Sequence, residues 1–139
     1  EPALVRELQQ RGPWKLWKSV RVRGPGDVSR AVDAFGDLVD GLLLEGFRPG
    51  VVGGGGVAAD PDALREARLQ IPRGITLVLA GGLTPDTVAD AVARVAPDVV
   101  DVSSGVEQVR GRKDHDLIRR FIEAARGMGT PPSGDLSRP

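Results

Sequence analysis

The strict alternation of apolar runs with helically periodic segments constrains this chain more than any other feature. Four short runs carry strand character: residues 17–22, 42–44, 75–79 and 99–102. Each is followed by a stretch whose apolar residues recur at helical spacing. Val28, Ala31, Val32 and Phe35 mark a helix over 27–38, and Val88, Ala91, Val92 and Val95 mark one that opens at Thr84-Pro85-Asp86. Leu117, Ile118, Phe121 and Ile122 mark the last, over 114–126. Asp60 as N-cap and Pro61 at the first helical position open another over 60–69. A leading helix over 2–10, with Leu4, Val5 and Leu8 on one face, precedes them all. Most of the 19 Gly and 11 Pro fall between these segments as punctuation. Strands that are apolar throughout, joined by helices, predict an α/β fold with a parallel sheet covered by helices. Two architectures fit: an open doubly wound sheet, or part of a (β/α)8 barrel, of whose eight strands four would be half.

With 139 residues, 40% apolar and 27% charged, the chain has the length of one domain with one core. Its 19 basic and 19 acidic residues balance, so it carries no electrostatic footprint for nucleic acid or an anionic membrane. With no Cys it has no disulfide scaffold, no zinc finger and no thiol nucleophile of its own. No apolar run approaches the roughly 18 residues of a membrane span. No signal peptide opens the sequence, and a cytoplasmic chain is the simplest expectation. It opens on Glu1 rather than Met, which reads as a fragment or a processed product. Residues 128–139, with three Pro, two Gly and two Ser, read as a flexible C-terminal tail after a unit spanning 1–127.

In both architectures function gathers where strands end. After 75–79 stands Ala80-Gly81-Gly82-Leu83, whose glycines let backbone N–H groups approach an anion. At the end of 99–102 stands Asp101-Val102-Ser103-Ser104-Gly105, with two hydroxyls, a carboxylate and more N–H groups. Adjacent turns of this kind hold one phosphate between them or serve as plain tight turns. Glu45 closes the run 42–44. A carboxyl at the mouth of a buried strand loses water, which favours its protonated form and suits it to general-acid work; a solvated loop-start Glu is the other reading. Gly53, Gly54, Gly55 and Gly56 form a flap or a linker, and without a following Lys-Ser or Lys-Thr they are no Walker A loop. His115, the single histidine, sits at a helix start among acidic residues, and no second His or Cys supports a metal site. Trp14 and Trp17 read as core or barrel-end packing, Arg119 and Arg120 as solvated helix-face charges.

Three motifs in order resemble one family. Leu-Ala-Gly-Gly-Leu-Thr-Pro at 79–85, Val-Asp-Val-Ser-Ser-Gly-Val-Glu at 100–107 and Gly-x-Lys-Asp-His-Asp at 111–116 are similar to the C-terminal half of phosphoribosylanthranilate isomerase. Leu43-Leu44-Glu45 before a Gly-rich loop extends the likeness to the sixth strand, so that it covers about residues 1–127. The resemblance implies a (β/α)8 TIM barrel, of which four parallel strands and about five helices are present here. It also implies the Amadori rearrangement of tryptophan biosynthesis, an aldose–ketose isomerisation with no cofactor and no metal. The acid position falls on Glu45, the phosphate turns on Gly81, Gly82, Ser103, Ser104 and Gly105, and Asp101 faces the substrate. Strands one to four, with the family's general-base Cys, are not in this chain. The activity then needs them from an upstream segment or a partner chain. Two alternatives stand beside it: a non-catalytic phosphate-binding half-barrel that pairs with a second copy of itself through its open face, and a paralog acting on another sugar phosphate. Glu45 stands where the family has Asp, and the flap keeps its glycines without the family's aromatic residues.

Overall fold

The apolar runs become β1 (Trp17–Arg21), β2 (Gly41–Glu45), β3 (Thr76–Ala80) and β4 (Val99–Val100), which pair in chain order, each neighbour parallel. The helices are α1 (Pro2–Arg11), α2 (Gly26–Phe35), α3 (Pro61–Gln70), α4 (Val88–Val95) and α5 (His115–Gly127). This computed structural model describes residues 1–24, 26–46 and 61–127, with the backbone alone for 61–63. The glycines Gly53, Gly54, Gly55 and Gly56, the cap expected at Asp60 and the tail at 128–139 lie outside the described residues.

Strand order decides between the two architectures. A doubly wound sheet reverses direction midway and carries helices on both faces. Here the order runs one way, and side chains from α2, α3, α4 and α5 all join one core cluster on a single face. That face presents Val20, Leu42, Leu44, Leu77 and Leu79, packed with Val28, Ala31, Leu64, Ala67, Val88, Ala91, Val95 and Phe121. A sheet wound in one direction with its helices on the outside is a segment of a (β/α) barrel.

The opposite face follows from the two-residue alternation and the in-register pairing: Trp17, Ser19 and Arg21 beside Gly41, Leu43 and Glu45, then Thr76, Val78 and Ala80. Four strands without their barrel partners imply a face uncovered throughout, and the centre departs from that. Val78 is fully buried and Ala80 nearly so, while the large exposed positions, Trp17 at 49% and Val99 at 39%, belong to the edge strands. Neither tryptophan enters the core. Trp14 is 57% exposed and donates its Nε1–H to the Leu8 carbonyl at 2.8 Å. Trp17 covers Gly41 at the N-terminal end of the sheet, where an added Cβ would lie 2.9 Å from its Cδ1.

Local chemistry sets the ends. Asp114 caps α5, its Oδ1 accepting from the N–H groups of Asp116 at 2.8 Å and Leu117 at 3.0 Å. The α4 helix starts later than Thr84-Pro85-Asp86 suggests, because Thr84 O first accepts from Thr87 N in a tighter turn and then from Val88 N. The strand expected over 99–102 pairs only at Val99 and Val100, its last rung being Asp101 N to Leu79 O at 2.9 Å. Between β4 and α5 the chain adds a 3-10 turn (Ser104–Val106) and an antiparallel hairpin of β5 (Glu107–Val109) and β6 (Arg112–Lys113), which periodicity did not suggest. Its two-residue connection, Arg110-Gly111, places Gly111 at φ 82°, a region that favours glycine.

Candidate functional site

All four strands of the sheet end at one edge, and there β2, β3 and β4 bring their turns together. Gly46 N donates to Ala80 O at 3.3 Å, and Val22 N donates to Glu45 O at 3.0 Å. Gly81 and Gly82 follow β3 at φ 88° and 76°. A Cβ on Gly81 would lie 2.7 Å from Gly46 N, so the residue has to be glycine both for its backbone angle and for its approach to the β2 turn. On the other side, a Cβ on Gly105 would lie 1.8 Å from Leu83 O. The turn after β4 is thus pressed against the turn after β3 with no room for a side chain.

Together these turns enclose a cleft of about 190 Å³ lined by Glu45, Ala80, Gly81, Gly82, Leu83, Asp101, Val102, Ser103, Ser104 and Gly105. Every candidate residue named from the sequence outside the glycine flap lines this one cleft. Among the described residues, the N–H groups of Gly81, Gly82, Ser103, Ser104 and Gly105 donate to no other protein group. Unused donors on two adjacent turns are one requirement of an anion site.

Glu45 is half-buried at the end of β2, and its Oε1 accepts from Ser19 Oγ at 3.0 Å. Ser19 lies two residues before Arg21, the register partner of Glu45, and therefore on the same sheet face. Alternation places it on that face once the register of β1 and β2 is known. Asp101 is exposed at the opposite wall. Among the described residues no cluster of three His, Cys, Asp or Glu side chains is arranged to hold a metal ion. Outside the cleft, Arg120 pairs with Asp86 at 2.8 Å and Arg119 with Asp116 at 2.9 Å, both at the surface. His115 is exposed in the first turn of α5.

The hairpin supplies two residues to which the motif reading gave no role. Lys113 Nζ donates to Ser103 O at 2.8 Å and to Glu107 Oε1 at 2.9 Å, with Ser103 Oγ at 3.4 Å. Glu107 Oε2 accepts from Gly111 N at 3.0 Å. The Gly111 N–H first, and Lys113 second, hold the Glu107 carboxyl below the ordinary carboxylate range.

A singly wound series of β/α units, its helices outside and its glycine-bearing turns gathered at the C-terminal edge, defines one half of a (β/α)8 barrel. Solved structures agree: phosphoribosyl anthranilate isomerase from Thermotoga maritima superposes with a TM-score of 0.72 at 35% identity, covering 91% of this chain and 58% of that one. The chain belongs to the N-(5'-phosphoribosyl)anthranilate isomerase family, whose model matches residues 6–124. It is 47% identical over 111 residues to the isomerase of Pseudomonas fluorescens (strain Pf0-1), covering 78% of this chain and 50% of that protein. It is 42% identical over 126 residues to that of Trichlorobacter lovleyi, covering 90% and 56%. The chain spans about half the length of the curated relatives it matches. A further phosphoribosyl anthranilate isomerase structure, in complex with reduced 1-(o-carboxyphenylamino)-1-deoxyribulose 5-phosphate, superposes with a TM-score of 0.71 at 34% identity, covering 91% of this chain and 55% of that one.

Proposed function

We propose that this chain supplies the C-terminal half of the active site of a phosphoribosylanthranilate isomerase, with strands one to four provided by further sequence or by a partner chain. The observation that carries the reading is that one cleft is lined both by the carboxyl of Glu45 and by two turns whose N–H groups are unused. A substrate phosphate on Gly81, Gly82, Ser103, Ser104 and Gly105 anchors one end of the molecule. Glu45 then meets the sugar, its carboxyl oriented by Ser19.

Protonation of the ribose ring oxygen by Glu45 opens the ring to a Schiff base. Removal of the C2′ proton by a base gives an enolamine; the base returns a proton to C1′ as the C2′ hydroxyl becomes the ketone, and the proton that hydroxyl releases restores Glu45. Asp101, at the facing wall, is placed to contact the open-chain substrate. The resemblance puts the family's general base, a Cys, on the first strand; this chain holds no Cys, and the reading assigns the base that takes the C2′ proton to the other half-barrel. Glu45 is one methylene longer than the family's Asp, a difference of about 1 Å at the proton donor; the Ser19 bond sets where that longer side chain ends. The relatives named above carry the isomerase name, which supports this reading over a non-catalytic module or a different sugar-phosphate reaction. The cytoplasmic location expected from the sequence belongs to the same proposal.

Turnover tests it. The chain is combined with a four-strand N-terminal half taken from a relative, and loss of phosphoribosylanthranilate fluorescence is followed. Glu45→Gln, which keeps the shape and removes the proton, is expected to lower kcat by about 10²–10⁴-fold with little change in KM. Equal turnover by wild type and variant would remove Glu45 from the chemistry.

A further inference from the structure

Lys113 and Glu107 lie outside the cleft, yet they determine how one of its walls is presented. The Lys113 ammonium has three N–H groups and three acceptors: Ser103 O at 2.8 Å, Glu107 Oε1 at 2.9 Å and Ser103 Oγ at 3.4 Å. Glu107 is itself fixed from the other side, since its Oε2 accepts from Gly111 N at 3.0 Å across the hairpin turn. A continuous chain of bonds therefore runs from the Gly111 turn through Glu107 and Lys113 to Ser103.

The consequence follows from peptide geometry. The Ser103–Ser104 peptide is trans, so its C=O and N–H point in opposite directions. With Ser103 O drawn toward Lys113 on the hairpin side, the Ser104 N–H is directed away from the hairpin. The cleft that holds Glu45, Gly81 and Gly82 is lined by Ser104 and by no residue of the hairpin. The Ser103 hydroxyl, by accepting from the ammonium, also leaves its own proton for another partner. Lys113 does not line the cleft, and its charge is largely matched by that of Glu107.

We propose that Lys113, held by Glu107, is a positioning residue that aims the donors of the Ser103–Gly105 turn at a bound phosphate without contacting the phosphate itself. The inference rests on the phosphate reading of that turn. It separates from a simple charge effect by sign. Glu107→Gln removes a negative charge from the neighbourhood of an anion site, which on charge alone tightens anion binding. If the pair positions the turn, the same substitution weakens it.

The test uses the full chain and two probes, inorganic phosphate and reduced 1-(o-carboxyphenylamino)-1-deoxyribulose 5-phosphate, titrated against wild type, Lys113→Met, Glu107→Gln and the double variant. Circular dichroism checks that each is folded; both side chains belong to the short hairpin after β4 and neither joins the hydrophobic core. The expected result is that either single substitution raises Kd about tenfold for both probes, the scale of one weakened hydrogen bond to a charged group. The double variant is expected to be no worse than Lys113→Met, because the two residues act as one unit. A folded Glu107→Gln chain that binds as tightly as wild type, or more tightly, overturns the positioning role while leaving the phosphate site in place. Wild type that binds neither probe overturns the site itself, and this inference with it.

Discussion

Gly105 is where the proposed phosphate site is most exposed to a single methyl group. A Cβ at that position falls 1.8 Å from Leu83 O, 2.9 Å from Leu83 C and 3.3 Å from Thr84 Cα. All three are backbone atoms, so no side chain can swing aside. A carbon and a carbonyl oxygen rest at about 3.3 Å or more, and Gly105→Ala therefore has to open the two turns by roughly 1.5 Å. Donors spaced for one phosphate then stop converging. An N–H···O distance of about 2.9 Å stretched by that amount is no longer a hydrogen bond. Each bond lost to a charged acceptor costs about 1.5–3 kcal/mol, which is roughly 10- to 150-fold in Kd. The same crowding lowers stability by about 1–3 kcal/mol. Calorimetric titration with reduced 1-(o-carboxyphenylamino)-1-deoxyribulose 5-phosphate, beside a urea melt, reads both quantities. Gly74→Ala serves as the control, since a Cβ there meets nothing within 4 Å. A folded Gly105→Ala chain with affinity within twofold of wild type would refute the idea that contact between these turns shapes the site.

Two further substitutions probe the frame that carries the site. Asp114→Ala removes the cap of α5 and is expected to lower stability by about 0.5–2 kcal/mol, read as a shift in the urea midpoint with ligand absent. The Asp27 carboxyl is held below its ordinary range, first by the Arg23 N–H at 2.6 Å, then by the Gly24 N–H at 2.9 Å and by the Arg30 guanidinium, against partial loss of water. A lowered folded-state value means stability that is present above the unfolded value, about pH 3.9, and is lost as pH falls through the folded one. Wild type is thus expected to lose more stability than Asp27→Asn between pH 5 and 3; parallel urea midpoints across that range would remove Asp27 from the acid limb.

What the sequence discloses divides along physical lines. Local signals are legible: the apolar runs, the helical spacing of Val88, Ala91 and Val95, and the strand-end position of Glu45, Gly81 and Ser103 all survive into the structure. Winding is not legible, because periodicity records which residues are buried and leaves strand order open. The choice of barrel over doubly wound sheet came from the β1-β2-β3-β4 order and the single helical face, or from motif resemblance, and not from pattern. Short elements held by side chains were also hidden. The hairpin of Glu107–Val109 and Arg112–Lys113 is too brief to show a period, and its Arg110-Gly111 turn is the one local cue. The Lys113 to Ser103 bond spans ten residues and depends on that hairpin. Ser19 was within reach of alternation, since it shares a face with Glu45, but an isolated serine in a strand carries no signal until its neighbour's side chain is known.

The most direct measurement is amide chemical-shift mapping of the chain by NMR during titration with inorganic phosphate. The amides of Gly81, Gly82, Ser103, Ser104 and Gly105 are expected to shift together and to saturate at one common Kd. Perturbations confined to other parts of the chain, or none at phosphate concentrations that saturate comparable sites, would contradict a phosphate site built from these two turns.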